Sequence, residues 1–343
     1  LVVLLLLPIF AFCEKLYVVE RERGALAVVE GDGRLKGEIE DLGNLNHATV
    51  KFHKGFAYVI SRDGFLSKID PKEDKLVKKV KVGNSGIGFD FFKEYVVVAN
   101  YDPDTVVLLD KDLNIVKVIK TGSRNVGIKA YPSGFVFALM DKDEVWVVEG
   151  GGIKSYRDVG RMPFDALLYE DRYLVGFFGE PSLGILDLRK GEYSKVALKT
   201  EGEAVFKIPH FGTWGVVDGV AYVPAVGARR LYILNLKELK LEGSISLSGL
   251  PVFVVASPDK RFLAVNFSGD REDYIALVDV SERRVIKEVQ VGKRIMHMRF
   301  SKDGKRLYAS SYFDSKLKVL DLPDLKLVQE LEIPNPSGVF VLP

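Results

Sequence analysis

Cysteine is almost missing from the sequence, since Cys13 is the only example among 343 residues. From Glu14 onward the chain can therefore form neither a disulfide nor a zinc site with thiolate ligands.

An excess of either charge is missing too, because 49 Lys and Arg residues and 47 Asp and Glu residues leave a formal net charge of +2. This balance predicts no basic surface of the kind that binds nucleic acid or anionic lipid.

The common motifs of hydrolases and nucleotide-binding enzymes are also absent. The sequence has no Walker A loop, no HExxH helix, no GxSxG elbow and no paired cysteines. The glycines between Gly83 and Gly88 have the wrong spacing for a dinucleotide site, and a strand pattern rather than a helix follows them. Ordinary hydrolase chemistry therefore has no support in the sequence.

Residues 1–13, LVVLLLLPIFAFC, form an apolar run that is too short to span a bilayer as a helix. Such a run is typical of the hydrophobic part of a secretory signal, so we expect export to the periplasm. Two outcomes are open: cleavage before Glu14, or a lipid on Cys13 that would be the protein's one link to a membrane. We assign residues 14–343 to a single domain.

A short apolar strand that ends in an acidic or amide residue recurs about every 40 residues. Strand patterns before and after each ending complete units of four strands, and helical periodicity is essentially absent. Four short strands per unit are typical of the blades of a β-propeller. The sequence therefore predicts an all-β, eight-bladed β-propeller, whose eight repeat endings are Glu30, Asp70, Asp110, Glu149, Asp187, Asn235, Asp279 and Asp321.

The two ends of the chain complete each other in this count. The unit from Lys15 to Gly43 has three strands and lacks the first, while Ser337–Leu342 is one spare strand. We therefore expect the C-terminal strand to pair with the N-terminal blade and close the ring. Closure would also remove the free sheet edges that favour aggregation.

Three of the four histidines fall at the same position of the repeat. In a propeller, the connections that lead into the innermost strands and the loops between the second and third strands lie on one face, which we call the mouth face. His47, His210 and His297 occupy such connections, whereas His53 follows an innermost strand and belongs to the opposite face. A single histidine is more often structural than functional, but three at one position favour a site at the mouth of the central channel.

Arginines and other polar residues occur at the same positions of the repeat. Arginine pairs bidentately with carboxylates, so this set predicts a wide, flat ligand with several acid groups. Each arginine could instead be a solvated charge at the rim. The predicted binding residues are Arg21, Arg62, Arg124 and Arg161, with Asn100 and Tyr101 from an inner loop and Asp165 between them.

Several long stretches of the chain are specific rather than generic blade repeats: VGRMPFDALL at 159–168, KIPHFGTWGVVDGVAYVPAVG at 207–227, GLPVFV at 249–254, MHMRF at 296–300 and PSGVF at 336–340. Through them the chain resembles the NirF family of haem d1 biogenesis proteins. More remotely, the first two units are similar to the haem d1-binding propeller of cytochrome cd nitrite reductase, over YVVERERGALAVVE and the segment from His47 to Asp70.

This resemblance implies a ligand and roles for several residues. It puts His47 at the place of the axial iron ligand and Arg21 and Arg62 at the places of carboxylate-binding arginines. His210 and Asp165 would then lie on the other side of the pocket as distal or proton-transfer groups. The implied ligand is haem d1 or a dihydro-haem d1 precursor, which neutral imidazole suits.

The reaction stays open at this point. The resemblance implies a part in making haem d1, with a dehydrogenation suggested for the family, but the sequence has no recognisable site for an electron acceptor. A non-catalytic carrier that delivers the tetrapyrrole to other maturation proteins or to nitrite reductase is the second hypothesis. A plain interaction scaffold is the third, since the fold alone would permit it.

Overall fold

A computed structural model describes residues 14–198 and 215–343. Over these residues the strands form eight antiparallel sheets of four strands each, which confirms the predicted eight-bladed propeller. Within each sheet the strands follow chain order from the channel outward, except in the blade that joins the two ends of the chain. The predicted export segment, residues 1–13, lies outside the described residues.

Blade 1 joins both ends of the chain, with β32 (Pro336–Val341) innermost, followed by β1 (Leu16–Glu20), β2 (Ala25–Val29) and β3 (Leu35–Ile39). Blade 2 contains β4 (Thr49–His53), β5 (Phe56–Ile60), β6 (Phe65–Asp70) and β7 (Lys75–Lys81). Blade 3 contains β8 (Ser85–Phe92), β9 (Tyr95–Asp102), β10 (Thr105–Leu109) and β11 (Ile115–Lys120). Blade 4 contains β12 (Asn125–Tyr131), β13 (Gly134–Leu139), β14 (Glu144–Glu149) and β15 (Gly152–Tyr156).

Blade 5 contains β16 (Pro163–Tyr169), β17 (Arg172–Phe177), β18 (Ser182–Asp187) and β19 (Glu192–Ala197). Blade 6 contains β20 (Val216–Val217), β21 (Val220–Ala225), β22 (Arg230–Asn235) and β23 (Lys240–Ser246). Blade 7 contains β24 (Leu250–Ala256), β25 (Phe262–Ser268), β26 (Tyr274–Asp279) and β27 (Arg284–Gln290), with a short 3-10 turn at Gly269–Arg271. Blade 8 contains β28 (Ile295–Phe300), β29 (Arg306–Ser311), β30 (Lys316–Asp321) and β31 (Lys326–Glu332).

Nowhere in the described ranges is there a helix long and apolar enough to cross a membrane.

The ring closes where the C-terminal strand meets the N-terminal one. β32 pairs with β1 in antiparallel register, with Val18 opposite Val339 and Leu16 opposite Val341. On the mouth face the Arg21 amide adds a hydrogen bond of 3.3 Å to the Asn335 carbonyl oxygen. The predicted closure is therefore confirmed, and the loop that carries Arg21 is attached to both ends of the chain.

Hydrophobic clusters fill the gaps between blades. Alternate residues of each strand point to the two faces of its sheet, so every blade contributes to the cluster on either side of it. The last of these clusters packs Leu16 and Val18 of blade 1 against Tyr308 and Leu317 of blade 8, all of them at most 1% exposed. Successive blades are thus held together all around the ring, which fixes the positions of the loops at its mouth.

The acidic and amide endings of the repeat have a structural cause. In five blades the side-chain oxygen of the ending residue accepts hydrogen bonds from backbone amides two to four residues later, as in an Asx turn. Asp70 accepts from the amide of Lys72 at 2.8 Å, for example, and Asp110 from that of Asn114 at 2.8 Å. The repeat signal used to count the blades is therefore a turn signal. The other three such residues are Asp187, Asn235 and Asp279.

Candidate functional site

The connection before β4 holds His47 in an unusual backbone conformation. The Asn44 amide donates to Oδ1 of Asp63 at 2.9 Å, and the Ala48 amide donates to the Leu45 carbonyl oxygen at 3.1 Å. This turn leaves His47 with φ of +60°, in the left-handed region that side chains other than glycine seldom adopt. The turn thereby fixes the backbone of His47 at the mouth face, just before the innermost strand of blade 2 begins.

Arg62 is held beside this turn by a second tight loop. Its amide donates to the Asn44 carbonyl oxygen at 2.7 Å. The loop then turns at Gly64, whose φ is +80° and where a Cβ atom would lie 2.0 Å from the Gly83 carbonyl oxygen. Only glycine fits there. The loops that carry His47 and Arg62 are therefore joined directly and have little freedom to move apart.

The Arg62 side chain has a buried donor without an acceptor. Its Nη1 atom is buried and makes no hydrogen bond within the described residues, while its Cζ atom lies 4.7 Å from the centre of the Tyr101 ring. A buried guanidinium nitrogen left unpaired costs free energy, and native structures rarely tolerate this. An acid group of a ligand at the mouth would supply the missing acceptor.

His47 lies within the electrostatic influence of Arg62 and Arg21. Burial is the main cause that lowers the pKa of His47, and the positive charges of Arg21 and Arg62 lower it further. The imidazole has no hydrogen-bond partner in residues 14–198 and 215–343. It is therefore neutral near pH 7, and neutral imidazole is the form that binds a metal. Arg21 itself packs on Tyr312, with its Cζ atom 5.7 Å from the ring centre.

Tyr101 lies between two of the predicted arginines. The Cζ atom of Arg124 is 5.8 Å from its ring centre, and that of Arg62 is 4.7 Å from it. Burial raises the pKa of the Tyr101 hydroxyl, although Arg62 and Arg124 lower it. Arg124 already has a partner, because its Nη2 atom lies 2.6 Å from Oδ1 of Asp141. Of the two arginines, Arg62 is therefore the one without a carboxylate partner in the described residues.

Asp165 lies near the start of the innermost strand of blade 5, within a register shift between Pro163 and Ala166. Burial raises the pKa of this carboxyl group to about 6, against the opposing effects of Lys129, the Ala166 amide and Lys51. Its Oδ1 atom accepts a hydrogen bond of 2.8 Å from the Ala166 amide. Asp165 also raises the pKa of Tyr101, so its charge reaches the mouth. A carboxyl group with this pKa can both take up and release a proton near neutral pH.

Three residues of the predicted mouth set have other places in the structure. Asn100 is fully buried, and its amide nitrogen donates to the Val82 carbonyl oxygen at 2.8 Å. Arg161 is exposed, and its Nε atom donates to the Gly179 carbonyl oxygen of its own blade at 3.1 Å. His297 is 5% exposed and packs into the core instead of facing the mouth. The first and third of these have structural roles, and the second is already engaged.

Of the remaining two histidines, only His53 lies in the described residues. His53 ends β4 on the face opposite the mouth, as predicted, and stacks on Phe91 with ring centres 4.2 Å apart. His210 lies in residues 199–214, outside the described residues, so its role remains a prediction. The described ranges contain no group of three or more His, Cys, Asp or Glu side chains arranged to hold a metal ion.

The channel below the mouth contains charged residues that the sequence patterns did not single out. Lys51, Asp90 and Lys129 occupy matching positions on the innermost strands of blades 2, 3 and 4. Each follows an apolar residue that packs between blades, so alternation turns its own side chain to the other face of the sheet. There Lys51 reaches Asp90 on the innermost strand of the next blade, at 3.2 Å. A charge in the middle of an innermost strand was the available signal, and it was hidden among many lysines of the outer strands.

These residues form a site suited to a flat, acidic, iron-containing ligand. A neutral imidazole, two arginines and an aromatic ring converge at the mouth, and the buried Arg62 Nη1 atom lacks an acceptor among the residues that the structure describes. A carboxylate would satisfy that donor, and haem iron commonly takes imidazole as an axial ligand. The donor set present at the mouth therefore fits a tetrapyrrole with acid side chains.

Comparisons with known proteins identify the family of the chain. Residues 13–342 match the family described as the cytochrome D1 heme domain. The chain is 32% identical over 354 residues to Protein NirF of Pseudomonas aeruginosa, covering 94% of this chain and 90% of that protein. It is also 32% identical over 351 residues to Protein NirF of Stutzerimonas stutzeri, with the same coverage.

Among solved structures, the dihydro-heme d1 dehydrogenase NirN in complex with DHE superposes with a TM-score of 0.83 at 24% identity, over 96% of this chain and 75% of that one. At that identity the superposition shows a shared fold. The family match and the NirF relatives each cover nearly the whole chain. The chain therefore belongs to the cytochrome D1 haem domain family and, within it, to the NirF proteins.

Proposed function

We propose that the protein acts in haem d1 biosynthesis by binding a late precursor, similar to dihydro-haem d1, across the mouth of the propeller. The observation that carries this proposal is the buried Nη1 atom of Arg62, unpaired within the described residues, beside a His47 imidazole that has no partner there either. The NirF relatives and the haem-domain family support the identity of the ligand.

Each residue at the mouth has a distinct part in holding this ligand. His47 coordinates the iron, and burial and the two arginines keep its imidazole neutral. Arg62 and Arg21 bind acid side chains of the macrocycle as ion pairs, and Tyr101 lies against them. Arg124 helps to position Tyr101 and adds positive potential, while its own guanidinium stays paired with Asp141.

We further propose that the protein takes part in modifying the precursor by dehydrogenation. Two electrons and two protons leave a saturated carbon–carbon bond of a ring substituent, which becomes a double bond, and an external electron acceptor takes the electrons. Asp165 and His210 take the protons. Asp165 suits this part because the pKa of its carboxyl group is about 6 and its charge is felt at the mouth.

The competing role is that of a carrier. His47, Arg62 and Arg21 would serve a carrier equally well, because holding the ligand does not require any of them to react. The observation that favours modification is Asp165, because a half-buried carboxyl group with a pKa of about 6 can exchange a proton near neutral pH, and a carrier has no use for that proton. In either role we propose a periplasmic location, with other haem d1 maturation proteins and nitrite reductase as partners.

Binding is tested by a visible absorption titration with haem d1. We expect wild-type protein to shift the spectrum of haem d1 at micromolar concentration, and His47→Ala to give a different bound spectrum with at least about tenfold weaker affinity. His53→Ala is the matched control, since His53 lies on the opposite face, and it should behave as wild type. If wild-type protein leaves the haem d1 spectrum unchanged, the binding proposal is wrong.

Modification is tested by mass spectrometry of the bound tetrapyrrole. Protein loaded with dihydro-haem d1 and supplied with a soluble redox dye should yield a product lighter by two hydrogens. Asp165→Asn should bind the precursor with the wild-type spectrum but form this product at least about 100-fold more slowly. An unchanged mass with several dyes, while binding persists, would favour the carrier.

A further inference from the structure

A cleft opens on the face opposite the mouth, between blades 2 and 3. It has a volume of about 350 Å3 and extends from the turn after β4 to the turn after β10. Pockets for small ligands begin at roughly 300 Å3, whereas a specific protein interface covers ~800 Å2 of each partner. The size of the cleft therefore suits a small molecule. Its walls carry five rings, those of His53, Phe56, Tyr58, Phe91 and Tyr95.

The inner wall of the cleft is a fixed stack of rings. The His53 imidazole lies parallel to the Phe91 ring, with ring centres 4.2 Å apart and planes within 8° of each other. Tyr58 meets the same phenyl ring edge-on, at 5.0 Å and 66°. Because parallel and edge-on pairs are the favourable arrangements of aromatic rings, this wall is in place before a ligand arrives. It offers a flat surface on which another ring can stack.

The outer wall carries an ammonium group that is held in place but only partly used. The Lys68 Nζ atom donates to the Lys111 carbonyl oxygen at 2.8 Å and lies 4.1 Å from the centre of the Phe56 ring. An ammonium group has three donors, and the other two have no acceptor among the described residues. Lys68 can therefore receive an anion without losing a hydrogen bond.

Lys68 is also the lysine of this lining that has no carboxylate partner in the described part of the chain. Lys54 pairs with Glu94, and the Nζ atom of Lys111 lies 3.3 Å from Oδ2 of Asp112. A single unpaired ammonium group matches the one charge of a carboxylate better than the two charges of a phosphate. The cleft thus favours a carboxylate over a phosphate.

The His53 imidazole adds neutral polar atoms to the cleft. Burial lowers the pKa of His53 and the charge of Lys54 lowers it further, so the ring is neutral near pH 7 although Glu94 and Asp90 oppose both effects. Neutral imidazole has one donor and one acceptor, and neither has a partner within residues 14–198 and 215–343. A ligand in the cleft therefore meets aromatic faces, one unpaired cation and one neutral hydrogen-bonding ring.

A second gap on the same face has the volume of the cleft without its rings. It lies between blades 4 and 5 and measures about 360 Å3, and of the described residues that line it, Tyr156 alone carries a ring. The Nζ atom of Lys154 lies 4.8 Å from the centre of that ring, much as Lys68 lies on Phe56. Volume and a lysine on a ring are thus common to both gaps, and the stack of rings distinguishes the first.

We propose that the cleft between blades 2 and 3 binds a small planar aromatic carboxylate of one or two fused rings. The ligand stacks on the wall formed by His53 and Phe91, its carboxylate pairs with Lys68, and the imidazole of His53 hydrogen-bonds a polar ring substituent. The exposed ion pair of Lys54 and Glu94 joins the two turns beside the cleft. Because an exposed pair is weak, it opens at little cost when the ligand enters.

Calorimetric titration with 2-naphthoate tests this site, with neutral 2-naphthamide and the saturated decahydro-2-naphthoate as matched ligands. Wild type should take up one 2-naphthoate and bind each of the other two at least about tenfold more weakly. Lys68→Met keeps the stem on Phe56 but not the charge, so it should bind the acid and the amide equally. Lys68→Arg should restore the preference for the acid, and Lys154→Met, in the second gap, should behave as wild type.

NMR of protein labelled with 13C-histidine locates the bound probe. The His53 signal, identified by its loss in His53→Ala, should shift when 2-naphthoate is added, and the His47 signal should not. The proposal is wrong if wild type takes up no 2-naphthoate at about 1 mM, binds the acid and the amide equally, or shifts His47 in place of His53. Haem d1 binding is measured separately, so this inference and the proposed function fail independently.

Discussion

Arg62 is the arginine that the structure separates most clearly from the others at the mouth. Arg124 is paired with Asp141 and Arg161 with the Gly179 carbonyl oxygen, whereas the Nη1 atom of Arg62 is buried without an acceptor in the described residues. From the sequence alone, several arginines were equally good candidates for binding an acid group of the ligand. Hydrogen bonding distinguishes them, and it depends on the detailed geometry of the loops, which no repeat pattern reveals.

We predict that Arg62→Lys weakens binding of haem d1 by about 10- to 100-fold, because a charged hydrogen bond contributes about 1.5–3 kcal/mol. Lysine keeps the charge but cannot offer the planar fork that pairs with a carboxylate. Spectral titration checks this, with Arg161→Lys as a control expected to change affinity less than about threefold. The methyl ester of haem d1 should bind wild type and the Arg62→Lys variant alike; a loss that persists with the ester would contradict a carboxylate contact.

Asp165 makes the free energy of unfolding depend on pH. Its pKa in the folded protein is about 6, above the value of about 4 for an unfolded aspartate, so the folded state holds the proton more tightly. The contribution of Asp165 to the free energy of unfolding is therefore fully present below about pH 4. It is lost as the pH rises to about 6 and does not change further above that pH.

Asp165→Asn should remove this pH-dependent loss of stability. We predict that the unfolding free energy of the variant exceeds that of wild type by a margin that grows between about pH 4 and pH 6, to at most about 3 kcal/mol. Urea denaturation of the ligand-free protein across this pH range measures it. Asp324→Asn, at an exposed turn, should run parallel to wild type. A margin that is constant with pH would show that Asp165 does not titrate as described.

At the level of the elements, His297 shows that a shared position in the repeat does not always place a side chain at the mouth. His47 precedes a regular strand, because β4 pairs with β5 without interruption. β28 instead has a register shift between Ile295 and His297, which turns this imidazole towards the core. Bulges of this kind occur at the start of several innermost strands, and a single sequence does not reveal them.

His297 has a role in attaching the closing strand. Its Nδ1 atom accepts a hydrogen bond of 2.9 Å from the Val339 amide of β32. We predict that His297→Leu lowers the unfolding free energy by about 1–3 kcal/mol, since it leaves a buried amide without an acceptor. His297→Asn, whose Oδ1 atom can accept instead, should recover part of this loss. Chemical denaturation measures both, and haem d1 binding should be unchanged; lost binding at unchanged stability would place His297 in the ligand site.

For the whole molecule, the sequence predicted the architecture better than the site. Eight endings such as Asp70 and Asp110 recur because most of them close a turn with the side chain, and the spare strand at 337–342 indicated how the ring closes. These features are local in the chain. The channel cluster of Lys51, Asp90 and Lys129 depends on three separate blades facing one axis, which only the assembled ring brings together.

The central claim is that His47 coordinates the iron of a tetrapyrrole at the mouth, and His47→Gly tests it most directly. Glycine suits the φ of +60° at this position, so the turn is kept and only the imidazole is removed. The variant should bind haem d1 with a spectrum unlike that of wild type, and free imidazole should restore it. With 15N-labelled imidazole, pulsed electron paramagnetic resonance should detect the label on the iron in His47→Gly and not in wild type. If haem d1 gives the same spectrum in both proteins and the label never reaches the iron, His47 is not the ligand.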